Sequence, residues 1–349
     1  MAAKIAPAKG YKRIATEEAF APPFVIDLWT KMLREKSSDD PSFNALQGFY
    51  LLHDAPRARD VRAKLQDVGE LRLADMDASG IDKQIVSMTA PGPNIFDAAT
   101  GRSVAIEAND WLAEKVAAHP DRFAGLAAIA PQDPAASAKE IERGVKTLGL
   151  KGVIINSHTH DEYLDETKFW PIFEAAEACN APIYLHPTGP SRDMIKPFLD
   201  KGLEGAIYGF AVDTALHAIR IMIAGVFDRF PKLKLVLGHT GEAIPFWLYR
   251  LDYMHAAGVR AKRYDSMKPT KRTITEYMRE NVWVTNSGVA WAPPIMFCRE
   301  VLGPERVMYA MDYPYQFVPE EVTASDELPM SLPEKKEYFQ GIAERVFNL

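Results

Sequence analysis

Carboxylates and imidazoles recur in this chain where runs of β-branched and apolar residues stop. RIATEEAF carries Glu17 and Glu18, PIYLHP ends on His186, LKLVLGH on His239 and RVMYAMD on Asp312. Two more runs stop on polar groups, KGVIINSH on Asn156, Ser157 and His158, and VWVTNSG on Asn286. A lone histidine after an apolar run is usually a hydrogen-bonded structural residue. Here His186, His239 and Asp312 hold one structural position on different runs, and Glu17 belongs to the same set. Mixed carboxylate and imidazole ligation with few thiols suits Mn²⁺, Zn²⁺ or Fe²⁺, and open coordination positions suit catalysis. The reading is one divalent metal ion among Glu17, His186, His239 and Asp312. His53, His119, His160, His217 and His255 lack this placement. His119, before Pro120, reads as a solvated cap. His158 leads into the polar loop Thr159-His160-Asp161 and is either a substrate contact, a group behind one, or part of that loop.

The elements that must position these groups are eight candidate strands, at 13–20, 83–89, 123–130, 151–158, 182–187, 233–239, 282–288 and 306–312. Helical spacing falls at 102–118, 134–148, 168–179, 206–229, 241–256, 271–280 and 293–302, with a closing helix near 333–346. Asp133-Pro134 places an N-cap before a proline at the first helical position, Asp165 to Lys168 leads into FWPIFEAAEAC, and Gly149 stands where a helix should stop. Alternation of this kind predicts an α/β fold, a single (β/α)₈ barrel of the TIM type over 1–349, with its chemistry at the C-terminal strand ends. The stretch from about 21 to 66 separates the first strand from the next helical pattern. A connection that long is more often functional than idle. It predicts an insertion over the barrel mouth and makes Phe49, Tyr50 and Arg57 site candidates.

Composition narrows the partners. With 349 residues, 47% of them hydrophobic and 25% charged, the chain can bury a substantial core. A net charge of -6 without a basic stripe argues against nucleic acid. Two cysteines, Cys179 and Cys298, have no metal or disulfide spacing and read as reduced, buried thiols. The opening MAAKIAPAKGYKR has no apolar leader, and runs such as IMIAGVF (221–227) are too short for a membrane span. The expectation is a cytoplasmic enzyme with no membrane partner.

IATEEAF, MDASGID, INSHT, YLHP, LGHTGE, FWLYRLDYMH, VTNSGVAW and MYAMDYPYQ together resemble the decarboxylase branch of the amidohydrolase superfamily, over nearly the whole chain from Tyr11. Within that branch the motifs are most similar to the subgroup acting on 5-carboxyvanillate. The resemblance implies an amidohydrolase-like barrel and metal-dependent, non-oxidative loss of CO₂ from an ortho-hydroxy aromatic acid, with Mn²⁺ or Zn²⁺ and no organic cofactor. It assigns Glu17 and His186 to the metal, and Asp312 to the metal and the proton. His239 and Glu242 match the pair beside metal and substrate, leaving His239 either a ligand or a group serving proton transfer. The family's usual assembly is a dimer or tetramer.

Hydrolytic members open with HxH on strand one, whereas Glu17-Glu18-Ala19 stands here, so Ala19 cannot ligate. The missing ligand favours the carboxyvanillate subgroup and an oxygen-preferring ion such as Mn²⁺. The strand-four lysine of binuclear hydrolases is also absent, INSHT occupying that end. An aromatic diacid needs cations beyond the metal, and guanidinium groups bind carboxylates bidentately. Arg57 is the first candidate and Arg250 the second, the alternative for Arg250 being an ion pair with Asp252 or a nearby glutamate. Tyr315 and Tyr50 are candidates for ring substituents, and Phe210 for the pocket wall; each is otherwise a core residue. The competing readings are a decarboxylase of 2,3-dihydroxybenzoate or γ-resorcylate, and a mononuclear lactone or amide hydrolase.

Overall fold

Apolar runs bounded by turn residues become short parallel strands when both faces are covered, and the described residues form eight of them. They are β1 (Ile14–Phe20), β2 (Lys83–Met88), β3 (Phe123–Gly125, continuing as Ala127–Ala128), β4 (Val153–Asn156), β5 (Ile183–His186), β6 (Leu235–Leu237), β7 (Val282–Thr285) and β8 (Val307–Met308). The computed structural model describes residues 10–349. The first nine residues of the segment read above for a leader lie outside them.

Each strand pairs in parallel with the next. β3 changes partner midway, its first half bonding to β2 and its second to β4. The ring closes where the chain beyond β8 meets β1, Ala19 N donating to Tyr313 O at 2.6 Å beside a Glu18–Tyr313 bridge. The result is the (β/α)₈ barrel expected from the alternation. Its strands are covered on both faces, β4 and β6 being buried throughout.

The insertion is helical. α1 (Pro23–Glu35), α2 (Pro41–Leu52) and α3 (Pro56–Gln66) each begin with a proline in the first turn, and Asp40 caps α2 by accepting from Phe43 N. α1 buries Val25, Ile26, Trp29 and Leu33, and the Trp29 ring meets Phe43 of α2 edge-on at 6.5 Å. α4 (Glu70–Ser79) then leads into β2.

The outer helices expected from periodicity are present as Ala98–Ala118, Pro134–Lys146, Trp170–Ala178, Gly209–Ile223, Ile244–Ala261, Ile274–Glu280 and Ala292–Leu302. Asp133 caps its helix through Ala136 N, and Gly149 follows with φ +74°. Three details depart from the reading. The segment 206–229 breaks at Gly225, whose φ is +80°. A helix at Arg192–Leu199 has no counterpart in the periodicity, and Pro197 within it hides it. The 241–256 pattern starts only at Ile244, because Thr240, Gly241 and Ala243 are left-handed. Among the described residues no helix is long and apolar enough to cross a membrane.

Candidate metal centre and substrate cavity

β1 brings two neighbouring carboxylates to the strand ends, and both are buried, Glu17 at 3% and Glu18 at 0% exposure. Glu17 faces the barrel axis, where Tyr184 of β5 donates its hydroxyl to Oε2 and Thr285 of β7 donates at 3.3 Å. The two hydroxyl oxygens lie 3.0 Å apart, so the inner oxygen is held from two strands. The outer oxygen, Oε1, is buried without a hydrogen-bond partner. His186 Nε2 and His239 Nε2 each stand 3.4 Å from it.

Both imidazoles are oriented through their other nitrogen. His186 Nδ1 lies 2.8 Å from Pro187 O, and His239 Nδ1 lies 2.6 Å from Glu242 Oε1. In the neutral rings, donation from each Nδ1 leaves each Nε2 a lone pair directed toward Glu17, the arrangement that ligating histidines adopt. Glu242 reaches His239 because the chain after β6 turns through left-handed His239, Thr240, Gly241 and Glu242. Gly238 sets the approach of Glu17. A Cβ there would lie 2.5 Å from Glu17 Oε2.

Asp312 completes the group, and ligand atoms from Glu17, His239 and Asp312 lie within 4.8 Å of one another. An orphaned buried carboxylate oxygen facing two imidazole lone pairs and a second carboxylate fits a divalent cation. The electrostatics agree, since Glu17, Glu242 and Asp312 crowd negative charge at one point. Burial, then Glu17, pushes the Asp312 carboxyl up to about 8, against the pull of His239 and Arg57. Burial likewise raises Glu242. For His239 burial opposes charge, but Glu242, Glu17 and Asp312 together outweigh it and the ring is held well above the imidazole range. His186, with less compensation from Glu17, is lowered by burial.

Above this cluster lies a cavity of about 160 Å³, lined by Tyr50, Arg57, Thr89, His186, Phe210, His239, Asp312, Tyr315 and Gln316 among others. The Tyr50 and Tyr315 rings meet edge-on at 5.3 Å, and Tyr315 shares a 2.8 Å hydrogen bond with Thr89. Arg57, at the start of α3, donates to Tyr315 O at 2.7 Å, which holds its guanidinium at the rim. Phe49 lies one residue before Tyr50 and is 38% exposed, its ring packed on Tyr50 and His53. Ala19 packs with Tyr50, Ala58, Val61 and Leu65.

Glu17, His186, His239, Glu242, Asp312, Tyr50, Arg57, Phe210 and Tyr315 are thus brought to one place. His158 and Arg250 are not. Ser157 turns the chain aside at φ +47°, and His158 is buried with Nε2 3.0 Å from Gly189 O, beside a separate polar cleft. Arg250 sits well along the outer helix Ile244–Ala261, exposed, in an apolar groove of about 550 Å³ with Trp247, Leu251 and Met254. His217 is buried against Ser157 and Leu164 N, His119 caps Ala98–Ala118 through its backbone, and Cys179 and Cys298 are free thiols. Tyr184, Thr285, Gly238 and Gln316 went unread in the sequence. Tyr184 carried one usable signal, since it stands two residues before His186 and alternate strand residues share a face.

A protein-family model described as Amidohydrolase matches residues 59–349. γ-Resorcylate decarboxylase of Polaromonas sp. (strain JS666 / ATCC BAA-500) is 34% identical over 298 residues, 83% of this chain and 90% of that protein. The crystal structure of 5-carboxyvanillate decarboxylase from Novosphingobium aromaticivorans DSM 12444, complexed with manganese and 4-hydroxy-3-methoxy-5-nitrobenzoic acid, is 51% identical, covers 99% of both chains and superposes with a TM-score of 0.97. The 5-carboxyvanillate decarboxylase of Sphingomonas paucimobilis is 43% identical, covering 97% of this chain and 99% of its own, with a TM-score of 0.91.

Proposed function

The chain belongs to the amidohydrolase family, and from that membership we propose that it is a metal-dependent carboxy-lyase converting 5-carboxyvanillate to vanillate and CO₂. The observation that carries the reading is the placement of Glu17 Oε1, two imidazole Nε2 atoms and Asp312 at the floor of a cavity whose walls are aromatic and whose rim holds Arg57. Mn²⁺ is the assigned ion, with Zn²⁺ the alternative, and Glu17, His186, His239 and Asp312 would hold it. When bound, the ion would supply a Lewis acid that stabilises negative charge on the substrate's oxygens.

The remaining chemistry belongs to the chain. Arg57 pairs with the carboxylate that is retained, while Tyr50, Tyr315 and Phe210 hold the ring in one orientation. Direct loss of CO₂ would leave an aryl anion, so the ring carbon must first be protonated. Asp312 takes the proton of the substrate hydroxyl and passes it to the ring carbon bearing the leaving carboxylate. That C–C bond then breaks, its electron pair restores the aromatic ring, and CO₂ departs. Glu242 holds the His239 ring, and His239 in turn opposes the negative charge beside Asp312.

The test is incubation of Mn²⁺-loaded protein with aromatic acids while CO₂ and ring absorbance are followed. CO₂ release from 5-carboxyvanillate, abolished in Asp312→Asn, is the expected result. Lactone cleavage without CO₂ would overturn the reaction class. Turnover of γ-resorcylate alone would keep the class and overturn the substrate, a second reading that the 34% identity to γ-resorcylate decarboxylase keeps in view.

The partner assigned beyond the substrate is a second copy of the chain. Phe246, Trp247, Tyr249 and Tyr253 stand 51–85% exposed on one helix, an apolar stripe that suits a homo-oligomer. Sedimentation as a monomer at micromolar concentration would refute it. The free thiols suit a reducing compartment, and the cytoplasm is the assigned location.

A further inference from the structure

Glu18, the carboxylate beside Glu17, lies outside the cavity and accepts from the backbone on both sides of Asp312. Met311 N donates to Oε1 at 3.0 Å and Tyr313 N to Oε2 at 3.2 Å. Asp312 between them has φ +72°, a left-handed conformation that few residues other than glycine, asparagine and aspartate adopt. Beside the backbone bond from Ala19 N to Tyr313 O that closes the barrel, a side chain supplies these two acceptors. Asp312 O accepts from Gln316 N at 2.8 Å, so the turn is fixed on its other side as well.

The carboxylate is itself held by a buried chain of contacts. Gln84 Nε2 lies 3.4 Å from Glu18 Oε2, and Gln84 Oε1 accepts from Arg72 at 3.2 Å. Arg72, wholly buried, donates to Ala19 O at 2.6 Å and to Lys64 O at 3.2 Å at the end of α3. Its guanidinium lies 4.5 Å from the centre of the Tyr313 ring. One arginine therefore ties β1, α3 and the Asp312 turn together, and α3 carries Arg57 at its other end.

We propose that Glu18 is a positioning residue for the decarboxylation, clamping the Met311 and Tyr313 amides so that the Asp312 carboxyl meets the substrate ring, with Gln84 and Arg72 holding the clamp. Two adjacent residues of β1 then divide the task, Glu17 facing the metal centre and Glu18 fixing the acid opposite it. The inference rests on the reading of Asp312 as the proton carrier.

The test compares Glu18→Gln with the unaltered protein at saturating Mn²⁺, with turnover expressed per metal-loaded, folded site. Glutamine keeps one acceptor and turns an amide NH₂ against the other N–H, so Asp312 should shift without loss of the cavity. The expected result is a fall in kcat on the order of tenfold to a hundredfold, because small misplacements of a reacting group are costly. KM for 5-carboxyvanillate and the affinity for 4-hydroxy-3-methoxy-5-nitrobenzoic acid should stay within about threefold, since Arg57 and the aromatic walls are untouched. A residue needed only for stability would lower the melting temperature and leave kcat per folded site unchanged, and that outcome overturns the proposal. Should Glu18→Gln not fold, Gln84→Met decides in its place, a several-fold loss of kcat at constant KM supporting the clamp and an unchanged kcat refuting it. Asp312→Asn in the same assay separates the two readings. An active Asp312→Asn defeats the site assignment, whereas an inactive one beside a fully active Glu18→Gln defeats only the clamp.

Discussion

Gly238→Ala should remove the metal without removing the fold. Gly238 has φ -72° and ψ -175°, which alanine adopts freely, so the backbone has no reason to change. The added Cβ would stand 2.5 Å from Glu17 Oε2 and 3.2 Å from both Cδ and Oε1. Relief to van der Waals contact requires the carboxylate to move by on the order of 0.7–1 Å. It cannot rotate away at no cost, because Tyr184 and Thr285 hold Oε2 on the far side. Metal sites tolerate ligand displacements of only about 0.2 Å, and disturbing the groups that orient a ligand weakens binding about 10- to 100-fold. The expected outcome is that loss in Mn²⁺ affinity, read by titration against the electron paramagnetic resonance signal of free Mn²⁺, with activity at limiting metal falling in proportion. Far-ultraviolet circular dichroism should be unchanged. An alanine variant that binds Mn²⁺ as tightly as the parent would refute the assignment of Glu17 as a ligand fixed from behind by β5 and β7.

Tyr184→Phe removes the hydroxyl donated to Glu17 Oε2 and should cost about 1.5–3 kcal/mol of ligand orientation. Mn²⁺ content after dialysis checks it, full retention counting against the role. Arg57→Ala should raise KM for 5-carboxyvanillate by about 10- to 100-fold with kcat within a few-fold, since its charge-assisted bonds orient the retained carboxylate. An unchanged KM would dismiss the anchor. In the metal-free protein, burial and then Glu17 raise Asp312 from 3.8 to about 8, so the folded state holds a proton that the unfolded chain releases. That contribution is complete below pH ~4 and is lost as pH rises through ~8, so the melting temperature should fall over this window. Saturation with Mn²⁺ at 100 times its Kd should add about 4 °C near pH 8, and a pH-independent metal-free melting temperature would contradict the sign.

The strand ends were legible because carboxylates and imidazoles occur where apolar runs stop, and the barrel forces those stops to one face. His186, His239 and Asp312 lie tens of residues apart yet meet for that reason. The helices of the insertion were hidden by weak periodicity, although Pro23, Asp40-Pro41 and Pro56 marked their starts. Arg250 and His158 lie apart from the cavity for different reasons. An arginine on an outer helix carries no sign of which face it takes, and the left-handed turn at Ser157 is not written in the run that precedes it. Gly238, Thr285 and Glu18 escaped because their role is defined by a neighbour across the barrel. A glycine that makes room for a carboxylate 221 positions earlier has no local signature.

Ala19 shows how a missing ligand becomes a structural fact. In the hydrolases that this chain resembles, a second imidazole follows the first at two residues on strand one. Here that position packs with Tyr50 of α2 and with Ala58, Val61 and Leu65 of α3. The space is therefore filled by the insertion, and a histidine there would crowd a packed cluster rather than reach an ion. The same α3 presents Arg57 to the cavity rim and is bonded at its far end to Arg72 through Lys64 O. A single event in sequence, the helical stretch after β1, thus accounts for three properties of the site. It covers the position of the second ligand, brings the Arg57 guanidinium to the cavity rim, and braces the strand whose Glu17 and Glu18 face the candidate metal centre and the Asp312 turn. At the end of β4 the buried Asn156 amide lies 3.4 Å from Met88 O, and no lysine stands there to bridge a second ion. These substitutions act in one direction, toward a site for a single metal ion.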